Sequence, residues 1–144
     1  MSPLSCDAPR TVSRAAAAGC AVALLAGCTN SQASINRRPQ GGSATASVVD
    51  GVQQITVKTG DTYRFDPSTI TVHPGRVTVV LVNGGHGAPH NWTLAGLPGA
   101  ATALASAGQT QAATFTAPAP GTYHFMCTIH RKQGQTGELV VLPH

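Results

Sequence analysis

Short apolar runs separated by turn-forming residues make up the chain from about residue 48 onward. Residues 52–58 alternate between apolar and polar positions, and residues 77–82 form a nearly continuous apolar run, typical of a central strand covered on both faces. Gly, Pro, Asn and Asp residues stand between the runs, as in tight turns. The pattern predicts strands at residues 52–58, 62–65, 69–73, 77–82, 90–94, 110–116, 122–127 and 138–142.

This arrangement predicts an all-β domain. Residues 97–108 are rich in alanine and could form either a loop or one helical turn, but no segment has the period of a long helix. Seven or eight short strands without a long helix predict a Greek-key β-sandwich over residues 48–144. The composition agrees, since only 10% of the residues are charged while Gly (16) and Pro (10) are plentiful.

The N-terminal 27 residues predict an export signal. Arg10 and Arg14 precede an apolar stretch, residues 15–26, that is too short to span a bilayer. The stretch ends in Leu-Ala-Gly-Cys at residues 25–28, which resembles the lipobox of bacterial lipoproteins, a family in which this Cys is lipidated. The alternative is an ordinary cleavage site where Cys28 is incidental. We therefore expect an exported chain, anchored by Cys28 to the extracytoplasmic side of the cell membrane.

The segment that follows predicts a tether, and the cysteines then become informative. Residues 28–47 are rich in Ser, Gly, Ala and Asn and have no hydrophobic period, which predicts a flexible linker. Cys6 and Cys20 would leave with the signal, so Cys127 would be the one thiol of the folded part. Since it has no partner for an internal disulfide, it should be bound to a metal, reactive or buried.

The neighbours of Cys127 favour a metal. Strand parity places Cys127 on the same face as Phe125, pointing inward at a strand end. His130 lies three residues on, and the loop between them must turn, because three extended residues span roughly 10 Å. His90 opens another strand after a Gly-rich loop, and the amide of Asn91 could bind the Cys loop. Two imidazoles and one thiolate are the donor set of blue-copper electron-transfer centres.

The motifs resemble those of the cupredoxins, the plastocyanin/azurin-like type 1 blue copper proteins. The similarity covers "PHN" (residues 89–91), "GTYHFMCTIH" (121–130) and "TGELVVL" (136–142), and extends over residues 52–142. It implies that His90, Cys127 and His130 bind one copper ion, which alternates between Cu(I) and Cu(II). The family's axial Met would stand five residues after the second His.

Here that axial position holds Gln135. We expect the Gln135 amide to be the axial ligand, as in the stellacyanin-like branch of the family. Gln133 is the second candidate, and a site with three ligands is the alternative to both. Because an amide oxygen is a harder donor than a thioether, it favours Cu(II), which predicts a lower reduction potential than in a Met-ligated relative.

The resemblance implies a one-electron carrier and not an enzyme, at the outer face of the cytoplasmic membrane. The electron would pass through the edge of His130. Arg131 and Lys132, which follow it, would form a basic rim for an acidic patch on a redox partner, unless they are merely solvated loop charges. We expect a monomer, with no nucleic-acid partner, since no Lys/Arg run is interleaved with aromatic residues. The alternatives are a protein for copper delivery, storage or resistance, and a zinc-occupied structural site.

Overall fold

The computed structural model describes residues 41–144 as two β-sheets that share one core. The predicted signal, Cys28 and residues 29–40 of the predicted tether lie outside the described residues. Within 41–144, no helix is long and apolar enough to cross a membrane. The strands are β1 (Ser43–Thr45), β2 (Ser47–Val49), β3 (Val52–Thr59), β4 (Thr69–Val72), β5 (Arg76–Asn83), β6 (Thr93–Leu94), β7 (Thr110–Thr116), β8 (Gly121–Met126) and β9 (Thr136–Val141), with one 3-10 turn at Arg131–Gln133.

Both sheets contain parallel and antiparallel pairs. The larger has the order β1-β4-β9-β8-β6 and the smaller the order β2-β3-β5-β7. From β3 to β8 the chain crosses from one sheet to the other at every connection, so neighbours in a sheet are distant in sequence. The predicted all-β sandwich is confirmed. This connectivity brings the loops after β3, β5 and β8 together at one end of the molecule.

Several strand boundaries differ from the predicted ones. Residues 62–65 are irregular, and residues 90–94 contribute only the two-residue β6. The β-structure begins at Ser43, inside the predicted tether, because Ala44 and Ala46 pack against the core. A strand whose inward side chains are alanines has nearly the same hydropathy pattern as a linker, so the sequence does not reveal it. Residues 97–108 contain no helix.

Strand β5 is central, as predicted, but it is not fully covered on both faces. Its inward positions are buried, whereas the alternate positions are half-buried or, at Arg76, exposed. The outer face therefore keeps partial contact with solvent. The Val residues at outer positions reflect the preference of β-branched side chains for strands rather than full burial.

Aromatic side chains fill the core beneath the loop-bearing end. The ring of Phe125 in β8 packs edge-on against Phe65, with the ring centroids 5.3 Å apart. On its other side it meets Trp92, also at 5.3 Å, and Trp92 stacks on Phe115 of β7. Phe65, Trp92 and Phe125 are 0% exposed. Phe65 follows β3, Trp92 follows the loop after β5, and Phe125 lies near the end of β8. One apolar cluster therefore fixes three segments at this end of the sandwich.

Gly137 in β9 is required by the position of Phe125. The two residues are register partners in the antiparallel β8–β9 pair. A Cβ atom at position 137 would collide with the Phe125 ring and with the main-chain oxygen of Ser68. Neither neighbour can move freely, since the ring is in the core and the oxygen belongs to the backbone.

We expect Gly137→Ala to lower the free energy of unfolding by about 1–3 kcal/mol, the usual cost of overpacking. Urea denaturation of the metal-free protein measures it. Gly87→Ala is the matched control, because a Cβ there meets nothing within 4 Å, and it should change stability by less than about 0.5 kcal/mol. Equal stability of the two variants would contradict the packing described for Phe125.

Candidate metal centre

Strand β8 delivers Cys127 to the buried side of the sandwich. Phe125 and Cys127 are 0% exposed, His124 is exposed and Met126 is half-buried. This alternation is the one that strand parity predicts, and it directs Met126 away from the thiol. The inward direction of Cys127 follows from the same pleat that buries Phe125.

The loop after Cys127 closes on itself through main-chain hydrogen bonds. The amide of Cys127 donates to the oxygen of Gln135 at 3.0 Å, and the amides of His130 and Gln135 donate to Cys127 and His130 oxygens, each at 3.3 Å. Gly134 adopts the left-handed conformation (φ 81) that ends the 3-10 turn. The closure places His130 and Gln135 on the same side of the loop as the thiol.

His90 is held from a different part of the chain. Its main-chain N–H and C=O both pair with Ala105, at 3.0 and 2.7 Å. The side chain of Asn83, at the end of β5, donates to the oxygens of Ala88 and Ala105, each at 2.9 Å, and accepts from the amide of Gly85 at 3.0 Å. Asn83 is 0% exposed. It therefore fixes the Gly-rich loop that leads to His90.

Asn91 joins the two ligand-bearing segments. Its Oδ1 accepts hydrogen bonds from the amide of Thr128 at 2.9 Å and from the Thr128 hydroxyl at 3.2 Å. Since Thr128 follows Cys127 directly, this bond ties the Cys loop to the segment that carries His90. This is the contact expected of Asn91 from the sequence.

Four donor atoms converge at this end of the sandwich. The Nδ1 atoms of His90 and His130 are 3.2 Å apart, Cys127 Sγ is 3.6 Å from His130 Nδ1, and Gln135 Oε1 is 2.9 Å from His90 Nδ1. Donor atoms of the three His and Cys residues all lie within 4.8 Å of one another. Gln133, by contrast, has a buried Oε1 without a hydrogen-bond partner among residues 41–144.

The donor set fits a borderline-soft transition metal. Each of the four atoms can offer a lone pair once the thiol and the facing imidazole nitrogens carry no proton. A single cation would satisfy all four. Thiolate and imidazole suit copper or zinc, and a weakly bound amide oxygen occurs as the axial donor of copper sites.

Enclosure disfavours the charged form of both imidazoles, and a metal requires the neutral form. Burial lowers the pKa of His90, and the proximity of His130 lowers it further, while the hydrogen bond with Gln135 opposes both effects. Burial also lowers the pKa of His130, again opposed by Gln135. The free energy needed to protonate either imidazole therefore increases as the imidazole becomes more buried.

Tyr63 covers the two imidazoles and was not predicted from the sequence. Its ring centroid lies 4.7 Å from that of His130 and 5.9 Å from that of His90. The residue has a positive φ of 54, which is unfavourable for an aromatic side chain. Nothing in the hydropathy pattern indicates this position. The left-handed backbone turns the ring onto the site instead of outward.

Arg64 fastens the ligand loop and was also not predicted. Its Nη1 donates to the oxygens of Gln133 (3.0 Å), Gly134 (2.9 Å) and Tyr63 (3.0 Å). The residue is only 6% exposed, so these are buried, charge-assisted hydrogen bonds. They hold the chain immediately before Gln135 against the segment that follows β3.

A family model described as "Cupredoxin-like domain" matches residues 19–141. Among solved structures, a Na-dithionite-reduced auracyanin from the photosynthetic bacterium Roseiflexus castenholzii is 29% identical, with a TM-score of 0.57, and the match covers 62% of this chain and 97% of that one. Auracyanin A from Chloroflexus aurantiacus, a "blue" copper protein, is 27% identical, with a TM-score of 0.53 and coverage of 69% and 99%.

A third solved structure shares the fold at lower sequence identity. The metal-binding domain of the Streptococcus pneumoniae Cu(I)-exporting P-type ATPase, solved with Cu(I), has a TM-score of 0.54 at 17% identity, over 73% of this chain and 100% of that one. At this identity the likeness shows the fold alone.

Replacing Arg64 tests how the loop is held. We expect Arg64→Met to lower the free energy of unfolding by about 2–4 kcal/mol, because buried carbonyl oxygens lose their donor. Hydrogen exchange should accelerate at the amides of Gly134 and Gln135. Arg76→Met removes an exposed Arg and serves as the control, with a change below about 0.5 kcal/mol. Unchanged exchange in the loop would contradict the clamping role of Arg64.

Proposed function

The chain belongs to the cupredoxin-like family, and on this premise we propose that it binds one copper ion and acts as a one-electron carrier. His90, Cys127 and His130 would be the strong ligands, and Gln135 would be the axial one. The copper would supply the Cu(I)/Cu(II) redox change. The observation on which the proposal depends is the convergence of four lone-pair donors at one buried point.

The support around the ligands favours electron transfer. Asn83 and Asn91 fix the His90 segment, and Arg64 fixes the loop before Gln135. Donors held this firmly change position little when the charge of the ion changes. A small rearrangement is what a fast one-electron carrier needs, whereas a delivery protein must release its metal.

The buried thiol argues against an enzyme. Cys127 is 0% exposed, so its sulfur cannot reach a substrate as a nucleophile would. Its one ring partner, His130, faces the same enclosed point at 3.6 Å. We therefore propose binding and electron carriage, without a covalent reaction at Cys127.

The electron would enter and leave near His130. This imidazole is half-buried, whereas that of His90 is 0% exposed. Ile129 beside it is 48% exposed, and Arg131 and Lys132 are exposed at the start of the 3-10 turn. A redox partner with an apolar contact and an acidic rim would be complementary to this surface.

We place the carrier outside the cytoplasm, at the membrane. The support is the sequence pattern alone: an apolar stretch at residues 15–26 that ends in Leu-Ala-Gly-Cys. Lipidation of Cys28 would hold the domain near membrane-bound redox proteins, linked by residues 29–40 and the first described residues. We propose a monomer, since one chain supplies every donor of the site.

The decisive test is titration of the purified full-length protein with Cu(II), followed by visible absorption and electron paramagnetic resonance. We expect an intense blue band and a narrow copper hyperfine splitting, both lost in Cys127→Ala. Cys28→Ala is the matched control and should keep both signals, because Cys28 belongs to the predicted tether and not to the proposed donor set. A colourless protein, or the spectrum of an ordinary tetragonal copper site, would contradict the electron-carrier proposal. It would favour a zinc site or a role in copper delivery, storage or resistance.

The axial position can be tested through the reduction potential. We expect Gln135→Met to raise the potential, because a thioether stabilises Cu(I) relative to an amide oxygen. Gln133→Met is the control and should leave the potential unchanged. A shift in Gln133→Met and none in Gln135→Met would transfer the axial role to Gln133. No shift in either variant would indicate a site with three ligands.

A further inference from the structure

The amide of Gln135 is held at both of its ends. Its Oε1 lies 2.9 Å from Nδ1 of His90, and its Nε2 donates to Oγ1 of Thr59 at 2.5 Å. Thr59 is the last residue of β3 and lies 76 positions before Gln135 in the sequence. Thr59 is 8% exposed and Gln135 is 0% exposed, so no solvent replaces this hydrogen bond.

The rest of Gln135 is already fixed by its main chain. Its N–H donates to the oxygen of His130, and its C=O accepts from the amide of Cys127. The remaining freedom of the residue is in its side-chain torsions, above all the torsion that turns the terminal amide. Thr59 is the partner that restrains this torsion from the side opposite His90.

Thr59 itself is well positioned for this task. It pairs with Asn83 in the parallel β3–β5 register, and its main-chain oxygen accepts from the amide of Gly84 at 2.9 Å. Its backbone is thus part of the sheet and of the start of the His90 loop. Because the Thr59 backbone is held by both elements, its hydroxyl has a fixed position and can restrain the Gln135 side chain, which comes from the Cys loop.

We infer that Thr59 is a positioning residue for the axial ligand: its hydroxyl binds the NH₂ end of the Gln135 amide and so holds the oxygen end at the metal site. This inference rests on the proposed function, because it assigns a role relative to a bound metal. The hydrogen bond itself joins two side chains of the protein. Loss of the hydroxyl would leave a buried NH₂ group without an acceptor, which is unfavourable enough to turn the amide.

The inference predicts a specific pattern among variants of the full-length protein. Thr59→Val, which is nearly isosteric, should change the copper hyperfine splitting. It should also move the reduction potential in the same direction as Gln135→Met, because the axial oxygen withdraws. Thr59→Ser keeps a hydroxyl and should restore both values. Thr56→Val removes an exposed hydroxyl from the same strand and should change neither.

A double-mutant cycle separates positioning from a general effect on stability. In the Gln135→Met background the amide is gone, so adding Thr59→Val should cause no further shift in potential. An equal shift in both backgrounds would overturn the inference. A potential and spectrum of Thr59→Val identical to those of the unmodified protein would also overturn it.

A measurement on the metal-free protein keeps this inference distinct from the proposed function. Exchange of the Gln135 side-chain NH₂ protons, followed by NMR, should be accelerated about tenfold in Thr59→Val, as expected for loss of one buried hydrogen bond. Thr59→Ser should retain slow exchange. The unmodified protein could fail to give a blue copper spectrum while Thr59→Val still exchanges the Gln135 NH₂ protons faster than it does. In that case the copper proposal fails, but the restraint of the Gln135 amide by Thr59 stands. Equal NH₂ exchange rates in Thr59→Val and Thr59→Ser would refute the restraint of the Gln135 amide by the Thr59 hydroxyl.

Discussion

The convergence of four lone-pair donors at one largely enclosed point is the constraint on which this end of the molecule depends. Contacts of 2.9, 3.2 and 3.6 Å link Gln135 Oε1, the two imidazole nitrogens and the Cys127 sulfur, and His90, Cys127 and Gln135 are 0% exposed. Polar groups this enclosed must be partnered by one another or by a ligand, and the backbone has to keep them at these distances. Burial is the main cause of the lowered pKa values of His90 and His130, because enclosure disfavours the charged imidazolium.

The sandwich meets this constraint by supplying the donors from segments whose backbones are independently fixed. The Cys loop is closed by its own hydrogen bonds and anchored by Arg64, while the His90 segment is paired with Ala105 and held by Asn83. Asn91 then joins the two segments. Because each segment is already rigid, the position of the site is a consequence of sheet packing, and the apolar contacts of Phe125 under the site contribute to it directly.

The parts of the site that follow local rules could be predicted from the sequence, and those that depend on long-range packing could not. Strand parity and the three-residue spacing were enough to place Cys127 and His130, and the all-β class followed from the strand pattern. Arg64 and Thr59 act through contacts with residues 69 to 76 positions away, and their own neighbourhoods look like ordinary strand and turn. Tyr63 was missed because its positive φ reverses the direction that a strand pattern would assign to its ring.

Gln135, the proposed axial ligand, differs from a thioether in the number of polar groups that need a partner. A thioether ligand has one weak donor atom and an otherwise apolar chain, so burial of the remainder costs nothing in hydrogen bonds. An amide has a second polar end, and at a 0% exposed position that end must find an acceptor within the protein. The hydroxyl of Thr59 meets this need for Gln135. A glutamine buried at this position therefore requires an acceptor at the end of β3, which a thioether would not.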